Sequence, residues 1–188
     1  MGANLRWLGL KLAETDSVKR LGVNVKPVLT IRLAVPADRP AIWAMLEPVI
    51  RAGETYALPR DMSEDAALGY WCAPANETFV GDENGVLWGT YILRANQAGG
   101  GSHVANCGYI TAAGAQGRGI ARQMLEHSLE HARARGFKAM QFNFVVSTNE
   151  RAVRTWQQNG FDIVGRLPGA FNHPTQGYVD ALVMYRKL

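Results

Sequence analysis

A glycine-rich segment at residues 114–127, GAQGRGIARQMLEH, most constrains how this chain folds. Glycine is a poor helix former, yet two glycines stand directly before a run with helical periodicity. Two explanations compete. The glycines make a tight turn between a strand and a helix, or they let an anionic ligand approach bare backbone N–H groups at a helix N-terminus.

The residues after Gly119 predict an amphipathic helix of about four turns. Gly136 follows the last apolar position and is typical of a helix C-terminus. The preceding segment, HVANCGYIT, has the pattern of a strand. Apolar side chains recur every three or four residues along one face of the helix, at Ile120, Met124, Leu125, Leu129 and Ala132.

Along the chain the predicted elements are a strand, two helices, three strands, a helix, a strand, a helix and two strands. This order predicts an α/β (α+β) sandwich with a mixed central sheet of about seven strands and helices on both faces. Ser147 and Glu150 predict a capping box for the last helix. The segment PGAFNHPTQGYV is interpreted as a long loop that acts as a lid over a small pocket.

The length of 188 residues suits one well-buried domain. Regular patterning begins at Leu29, so residues 29–188 are predicted to form the domain. Residues 1–28 lack the apolar core and cleavage site of a secretory signal and are predicted to be an N-terminal extension. Two alternatives stay open for it: a flexible leader, or a short docking strand or helix formed by Trp7, Leu8, Leu10 and Leu12.

The charge and cysteine content exclude several classes of function. The net charge is +4, from 20 Lys and Arg against 16 Asp and Glu, but the basic residues are scattered, which favours a small anionic ligand over nucleic acid. No apolar run is long enough to span a bilayer, so we expect a soluble protein. Cys72 and Cys107 form neither a metal motif nor a disulfide framework, which favours the cytoplasm.

Two motifs resemble those of the Gcn5-related N-acetyltransferase (GNAT) superfamily. Residues 116–121, QGRGIA, match its Q/R-x-x-G-x-G/A signature between a strand and a helix. The second block, N-x-x-A-x-x-x-Y-x-x-x-G-F, is resembled by Asn149, Ala152, Trp156 and Gly160-Phe161. The resemblance covers about residues 29–188 and favours the anion-binding explanation of the glycines.

The resemblance implies acetyl-CoA as the cosubstrate, no metal, and splayed fourth and fifth strands that hold the pantetheine arm. Backbone N–H groups of residues 117–121 would bind the pyrophosphate, with charge added by Arg118 or Arg122, and those near Tyr109 to Thr111 would hold the thioester carbonyl. The residues assigned to acetyl-CoA are Tyr109, Ile110, Thr111, Gln116, Gly117, Arg118, Gly119, Ile120, Ala121, Asn149, Arg151 and Trp156.

This chain departs from the family pattern at Trp156, where a tyrosine usually protonates the departing thiolate. Indole cannot act as that acid, so Tyr109 and Tyr178 are candidate substitutes, although ring packing is the alternative role for each. The incoming amine needs a base, for which the candidates are Glu54, His103 and His173. The predicted catalytic residues are Glu54, Tyr109 and Asn149.

Asn106, Asn143 and Asn149, with the run FNFVVSTN, resemble the branch of the family that acetylates azetidine-2-carboxylate and related imino acids. The alternatives are a helix cap for Asn149 and a link between the splayed strands for Asn143.

Glu54-Thr55-Tyr56 resembles the branch that acetylates phosphinothricin and methionine sulfoximine. The predicted substrate-binding residues are Glu54, Asn106 and Asn143, and the candidates for a carboxylate contact are Arg51, Arg60 and Arg94.

The resulting prediction is an N-acetyltransferase that acts on a small-molecule amine, of amino or imino acid type, by direct attack in a ternary complex. Two alternatives stay open: a non-catalytic acyl-CoA-binding sensor, and a protein or peptide acetyltransferase. The resemblance also implies a homodimer formed through the last strands, where the apolar run ALVMY suits a buried edge. Neither nucleic acid nor a membrane is an expected partner.

Overall fold

The computed structural model describes residues 29–115 and 117–188. Within them seven strands form one sheet, in the order β1-β2-β3-β4-β5-β7-β6. Strands β4 and β5 pair in parallel and the other neighbours pair antiparallel, which confirms the predicted mixed sheet. The strands are β1 Thr30–Leu33, β2 Glu77–Glu83, β3 Val86–Ala95, β4 Val104–Thr111, β5 Ala139–Val146, β6 Asp162–His173 and β7 Gly177–Lys187.

The helices of the described chain begin and end where local chemistry favours it. Helix α1 ends before Gly53, whose φ of 66° is left-handed. Ser63 caps α2, because its side chain accepts a hydrogen bond from the N–H of Ala66 at 3.3 Å. The helices are α1 Arg39–Ala52, α2 Glu64–Trp71, α3 Ile120–Ala134 and α4 Glu150–Gln158.

Asn149 caps α4, and the capping box predicted from Ser147 and Glu150 is wrong. The Oδ1 of Asn149 accepts from the N–H of Ala152 at 3.2 Å. Ser147 lies too far upstream, and its N–H donates to the backbone oxygen of Asp180 on β7 at 2.9 Å. The helix-cap alternative for Asn149 is therefore confirmed.

Helices cover both faces of the sheet, as the sequence predicted. On one face α1 and α2 pack against Val80, Ile92 and Ile110 of the central strands. On the other face α3 packs against Tyr91 and Cys107, and the partly buried side chains of α4 join the same cluster. The sheet thus lies between two apolar cores.

The segment PGAFNHPTQGYV is not a long loop. It belongs to β6 and β7, which form a hairpin with a short turn at residues 174–176. Pro168 and Gly169 suggested a loop, but β6 is an edge strand. Proline has no N–H to donate, and at an edge this loses no hydrogen bond to a neighbouring strand; a β-bulge is tolerated there as well. The N–H of Gly169 instead donates to Oδ1 of Asp180 at 2.9 Å.

Residues 1–28, the predicted extension, and Gln116 lie outside the described residues. None of the helices in the described ranges is long and apolar enough to cross a lipid bilayer.

Two histidines of α3 lie against aromatic residues of the sheet. Nδ1 of His127 is 2.7 Å from the hydroxyl oxygen of Tyr91, and His131 stacks parallel to His127 with ring centroids 6.1 Å apart. Nε2 of His131 lies 2.8 Å from a carboxylate oxygen of Glu77. Burial, and next the charge of His131, lower the pKa of His127 below its ordinary 6.5.

This lowered pKa predicts a loss of stability in mild acid. Below pH 6.5 the unfolded chain binds the His127 proton more readily than the folded chain does, so the free energy of unfolding falls as the pH drops toward the folded pKa. The His127→Asn variant, which keeps a polar atom near Tyr91 but does not titrate, should have a flatter profile. The difference should be at most about 1 kcal/mol, because the ring is half-exposed.

Urea unfolding between pH 7.5 and 5.5 measures the effect. The matched control is His103→Asn, since His103 is exposed and contacts the backbone oxygen of Gly100 at 3.1 Å. Identical pH profiles for wild type and His127→Asn would contradict the assignment of the acid sensitivity to His127.

Candidate active site

Strands β4 and β5 separate after two backbone pairs. Val104 pairs with Ala139 and Ala105 pairs with Met140, and the two strands share no further pair within the described residues. Beyond that point a gap opens between them. The gap confirms the splay of the fourth and fifth strands predicted from the sequence.

Alternate peptide groups of β4 face this gap. Ala112 N–H donates to Trp88 O at 3.0 Å, and β3 and β4 keep a constant register from there along the strand. In an antiparallel pair, residues that bond to the neighbour alternate with residues whose N–H and C=O point the other way. The N–H groups of Tyr109 and Thr111 therefore point into the gap, whereas the N–H of Ile110 is used by β3.

Asn106 joins the strands where they separate. Its Nδ2 donates to the backbone oxygen of Gln141 at 2.9 Å, so a side chain replaces the next rung of the ladder. This is the link that the sequence analysis considered for Asn143. Asn143 is exposed on β5, and its Nδ2 instead donates to Oδ1 of Asn96 at 2.6 Å.

The loop before α3 presents bare backbone to solvent. Gly117 and Gly119 have left-handed φ values of 75° and 73°, and a Cβ added to either would meet no atom within 4 Å. Gly119 directly precedes α3, whose first N–H groups have no acceptor inside the helix. These donors and the positive end of the helix dipole fit a phosphate group, and a Cβ would fill the space it needs.

Both arginines of this segment are paired with carboxylates. Arg118 forms an ion pair with Glu83, and its guanidinium carbon lies 3.9 Å above the ring of Trp88. Arg122 pairs with Glu126 on the exposed side of α3 at 2.7 Å. The N–H of Arg118 itself donates to the backbone oxygen of Ala115 at 3.3 Å. The N–H groups of Gly117 and of residues 119–121, which have no acceptor among the described residues, are therefore the donors that the loop offers to a ligand.

A cavity of about 420 Å³, here called the main cavity, opens from the gap. Among the described residues its lining holds one cation, Arg94, and no carboxylate. Apolar and aromatic side chains dominate the described lining: Val49, Thr55, Tyr56, Ala57, Leu58, Tyr70, Ile92, Arg94, Asn106, Cys107, Gly108, Tyr109, Ile110, Thr111, Phe142, Asn143, Phe144, Val145, Val146, Asn149, Ala152 and Trp156.

The loop after α1 forms one wall of the main cavity, and two arginines hold it in place. Nη1 of Arg51 donates to the backbone oxygens of Arg60 and Met62 at 2.6 and 2.9 Å. Nε of Arg60 donates back to the oxygen of Arg51 at 2.8 Å. These two candidates for a carboxylate contact thus fix the loop, and neither lines the main cavity.

Arg94 does line the main cavity. It lies on β3, opposite Asn106 on β4. Its guanidinium makes no hydrogen bond or ion pair to a residue in the described ranges. A guanidinium beside a mostly apolar cavity attracts a carboxylate, which it can bind through two parallel hydrogen bonds.

Tyr56 is a residue of the site that the sequence analysis named only within Glu54-Thr55-Tyr56, with no role of its own. Its hydroxyl donates to the backbone oxygen of Tyr109 at 3.1 Å, and burial raises the pKa of Tyr56 so that the phenol stays a donor. A Cβ on Gly108 would lie 3.1 Å from this hydroxyl, so β4 passes close beneath it. The available signal in the sequence was an aromatic residue in the segment ETYALPR.

Tyr109 and Trp156 pack together beside the gap, with ring centroids 5.2 Å apart. The hydroxyl oxygen of Tyr109 lies 2.7 Å from Oγ of Ser128 on α3, and burial raises the pKa of Tyr109 well above its ordinary value. Tyr178, the other candidate acid, is 79% exposed on β7 and lines none of the described cavities. These contacts of Tyr109 match the ring-packing role, which was the alternative to a role as the general acid.

A polar cavity of about 280 Å³, here called the side chamber, adjoins the main cavity. Thr55 and Asn149 line both cavities. Glu54 contributes the carboxylate of the side chamber and is absent from the lining of the main cavity. The side chamber is lined by Glu54, Thr55, Thr148, Asn149, His173, Thr175 and Gln176.

The remaining candidate bases differ in what they can do. His173 is 6% exposed, and its Nδ1 accepts from the N–H of Thr175 at 3.3 Å. Because a backbone N–H only donates, neutral His173 carries its proton on Nε2 and acts as a donor rather than a base. His103 lies just before β4, exposed, and borders none of the described cavities.

Asn149 has one polar atom left for a ligand. Its Oδ1 is used in the cap, while its Nδ2 bonds to none of the described residues. Arg151 lies exposed in the first turn of α4. No group of three or more His, Cys, Asp or Glu side chains in the described ranges is arranged to hold a metal ion.

Comparison with known proteins adds to this geometry. The sequence matches the family model described as "Acetyltransferase (GNAT) family" over residues 43–161. A GCN5-related N-acetyltransferase from Kribbella flavida is 40% identical, and its solved structure has a TM-score of 0.81 over 85% of this chain and 98% of that chain.

More distant relatives agree with this match. N-acetyltransferase aca1 from Schizosaccharomyces pombe is 27% identical in an alignment 151 residues long that covers 71% of this chain and 72% of the relative. A GNAT superfamily phosphinothricin acetyltransferase from Sinorhizobium meliloti, solved in complex with acetyl-CoA, is 21% identical with a TM-score of 0.73. The alignment covers 85% of this chain and 88% of that one, and at this identity it shows a shared fold.

The loop geometry predicts that Gly119→Ala weakens acetyl-CoA binding by roughly tenfold or more. The added Cβ enters the space in front of the bare N–H groups and strains a left-handed backbone. Titration calorimetry with acetyl-CoA measures the change.

Gly136→Ala is the matched control, because Gly136 has a φ of 87° and equal open space but lies at the other end of α3. Both variants should lose about 1–2 kcal/mol of unfolding free energy. Equal acetyl-CoA affinity in the two variants would contradict a phosphate site at the loop.

Proposed function

The chain belongs to the acetyltransferase (GNAT) family, and on that premise we propose that it transfers the acetyl group of acetyl-CoA to the amine of a small, carboxylate-bearing molecule. Membership confirms the family and the N-acetyltransferase class that the two sequence motifs predicted. The acceptor, the reaction path and the roles of individual residues, within a catalytic domain of residues 29–188, are part of the proposal.

Acetyl-CoA supplies the acetyl group as a reactive thioester. The N–H groups of Gly117 and of residues 119–121 hold its pyrophosphate, since Gly117 and Gly119 keep the space before them open. The N–H of Arg118, which the sequence included in this set, is already bonded to the backbone oxygen of Ala115. The gap between β4 and β5 takes the pantetheine arm. The N–H of Tyr109 then faces the thioester carbonyl and stabilises the negative charge that develops on its oxygen. This role belongs to the backbone of Tyr109, not to its hydroxyl.

The nature of the acceptor rests on one observation: Arg94 is the single cation among the described residues of the main cavity, and no carboxylate there opposes it. A cavity of this kind favours an acceptor that carries an anionic group. The Oδ1 of Asn106 and the Nδ2 of Asn149 supply an acceptor and a donor for the rest of a small polar molecule. An amino or imino acid has the required amine and carboxylate.

The size of the main cavity favours a small molecule over a peptide. Its volume of about 420 Å³ lies at the small end of ordinary ligand pockets. The loop after α1 and the tip of the β6–β7 hairpin meet beside it, where Tyr56 and His173 line a third cavity between them. A protein acetyltransferase needs an open groove where this chain has the loop after α1 and the hairpin tip. An acyl-CoA sensor needs room for acyl-CoA alone and has no use for a cavity that accommodates an acceptor.

We propose direct attack in a ternary complex. The amine nitrogen forms the new C–N bond while the C–S bond of the thioester breaks, and CoA leaves as a thiolate. The ammonium form of the acceptor must first lose a proton, and Glu54 receives it through water in the side chamber. Thr55 and Asn149 border the connection, and the Nε2–H of His173 hydrogen-bonds to the same water.

The leaving thiolate needs no tyrosine in this proposal. Trp156 occupies the usual tyrosine position, packed against Tyr109 and Phe142. A thiol has an ordinary pKa near 8.5, so the CoA thiolate is stable enough to leave without an acid from the enzyme. At neutral pH it then takes a proton from solvent.

Two further expectations belong to the proposal. We propose a homodimer formed along the β6 edge, where Ile163, Val164 and Leu167 are 41%, 58% and 41% exposed. The run ALVMY, which the sequence placed at this edge, lies instead in β7 between β5 and β6, and its buried side chains belong to the core. We also propose that the protein works in the cytoplasm, which suits the free thiols of Cys72 and Cys107.

A matched panel of amines tests the acceptor class. Release of CoA, followed by thiol titration, is compared for azetidine-2-carboxylate and azetidine, for proline and pyrrolidine, and for a lysine peptide. Wild type should turn over carboxylate-bearing amines with a KM roughly tenfold to a hundredfold lower than that of their carboxylate-free partners, because one charged hydrogen-bonded contact is lost. Turnover of the peptide alone would contradict the proposal, and acetyl-CoA binding without turnover of any amine would favour the sensor.

Arg94→Gln assigns the effect to its residue. The variant should raise the KM of the carboxylate-bearing amines to that of their partners and leave the partners unchanged, while Arg94→Lys should restore part of the difference. An equal loss for both members of each pair would show that Arg94 does not contact the carboxylate.

A further inference from the structure

The ion pair of Arg118 has a structural setting beyond the loop itself. Glu83, its partner, ends β2 at a tight turn in which Asn84 and Gly85 both have positive φ. The N–H of Gly85 donates to Oδ1 of Asp82 at 2.8 Å, which fixes the turn. The carboxylate of Glu83 is therefore presented from a rigid hairpin, with its side chain only 14% exposed.

Trp88 of β3 contacts the glycine loop at two places, near Gly114 and at Arg118. Its backbone oxygen accepts from the N–H of Ala112, and a Cβ added to Gly114 would come within 3.3 Å of its ring, so the loop backbone lies on the indole. On the far side of the loop the guanidinium of Arg118 stacks on the same ring at 3.9 Å. Stacking and the ion pair with Glu83 together hold Arg118 in one position.

We propose that Arg118 is a positioning residue for the acetyl-CoA pyrophosphate and not a phosphate ligand. The Glu83–Arg118–Trp88 cluster, here called the clamp, fixes the loop backbone at Gly114 and at Arg118, next to the N–H groups of Gly117 and Gly119. This inference rests on the proposed binding of acetyl-CoA at the loop, and it replaces the phosphate contact that the sequence suggested for Arg118.

The energetic reason lies in what each arrangement costs. To reach a phosphate, Arg118 must leave a carboxylate and an aromatic ring that already satisfy it, so little net affinity is gained. Left in the clamp, it immobilises loop residues whose two glycines would otherwise have wide backbone freedom. A loop ordered before the ligand arrives binds more tightly, because the ordering entropy has already been lost.

Charge-conserving substitutions distinguish the two roles. Glu83→Asp keeps the negative charge but shortens the side chain, so it releases Arg118. If Arg118 positions the loop, acetyl-CoA binds roughly five- to thirtyfold more weakly. If Arg118 is a phosphate ligand that Glu83 restrains, acetyl-CoA binds equally well or more tightly. Arg118→Lys and Trp88→Leu should weaken binding by similar factors, and the double variant Glu83→Asp/Arg118→Lys should be no worse than either single one.

A shortened donor separates this role from general damage to the fold. S-acetylpantetheine carries the thioester but no pyrophosphate. The clamp variants should therefore lower kcat/KM with acetyl-CoA, keep kcat/KM with S-acetylpantetheine, and leave the KM of the amine unchanged. Arg154→Lys is the matched control, because Arg154 forms an exposed ion pair with Glu150 at 2.9 Å on another helix.

Each outcome decides one question. Weaker acetyl-CoA binding in Glu83→Asp, with unchanged use of S-acetylpantetheine, supports the clamp. Unchanged or tighter acetyl-CoA binding in Glu83→Asp overturns it, as does an equal loss with both donors. Failure of the wild-type protein to bind acetyl-CoA would instead overturn the proposed function on which the clamp depends.

Discussion

The early separation of β4 and β5 is the constraint on which the rest of the site depends. Two parallel strands that stayed paired would use their facing peptide groups on each other and leave no room between them. Here pairing stops at Ala105, and Asn106 closes the ladder with its side chain. The N–H of Tyr109 is thereby left facing an open gap at the centre of a rigid sheet, and the main cavity lies where the gap widens.

Partners within the protein decide which polar groups remain for ligands. Four arginines that looked suitable for anions are already occupied: Arg51 and Arg60 hold the loop after α1, Arg122 pairs along α3, and Arg118 pairs with Glu83. Arg94 is the cation that faces a cavity without a described partner. The same logic separates Glu54 from His173, since Nδ1 of His173 already accepts a hydrogen bond from the N–H of Thr175.

Local features were predictable from the sequence and distant contacts were not. Helix α3 and the glycines before it follow from periodicity and from the left-handed backbone that glycine permits, so a short segment contains the whole signal. The contact of Tyr56 with Tyr109 joins positions 53 residues apart, and that of Arg118 with Glu83 joins positions 35 apart. No local pattern encodes such pairs. Strand β6 was misjudged at Pro168, because proline signals a loop unless the strand is at an edge.

The orientation of the β4 peptide groups is the central claim, and amide hydrogen exchange measured by NMR with and without saturating acetyl-CoA tests it most directly. The account predicts that acetyl-CoA slows exchange at Tyr109, Gly117 and residues 119–121, while Ile110, already bonded to β3, keeps its rate. Slowing of equal size at Ile110 and Tyr109, or unchanged exchange at Tyr109 in a protein that demonstrably binds acetyl-CoA, would contradict it.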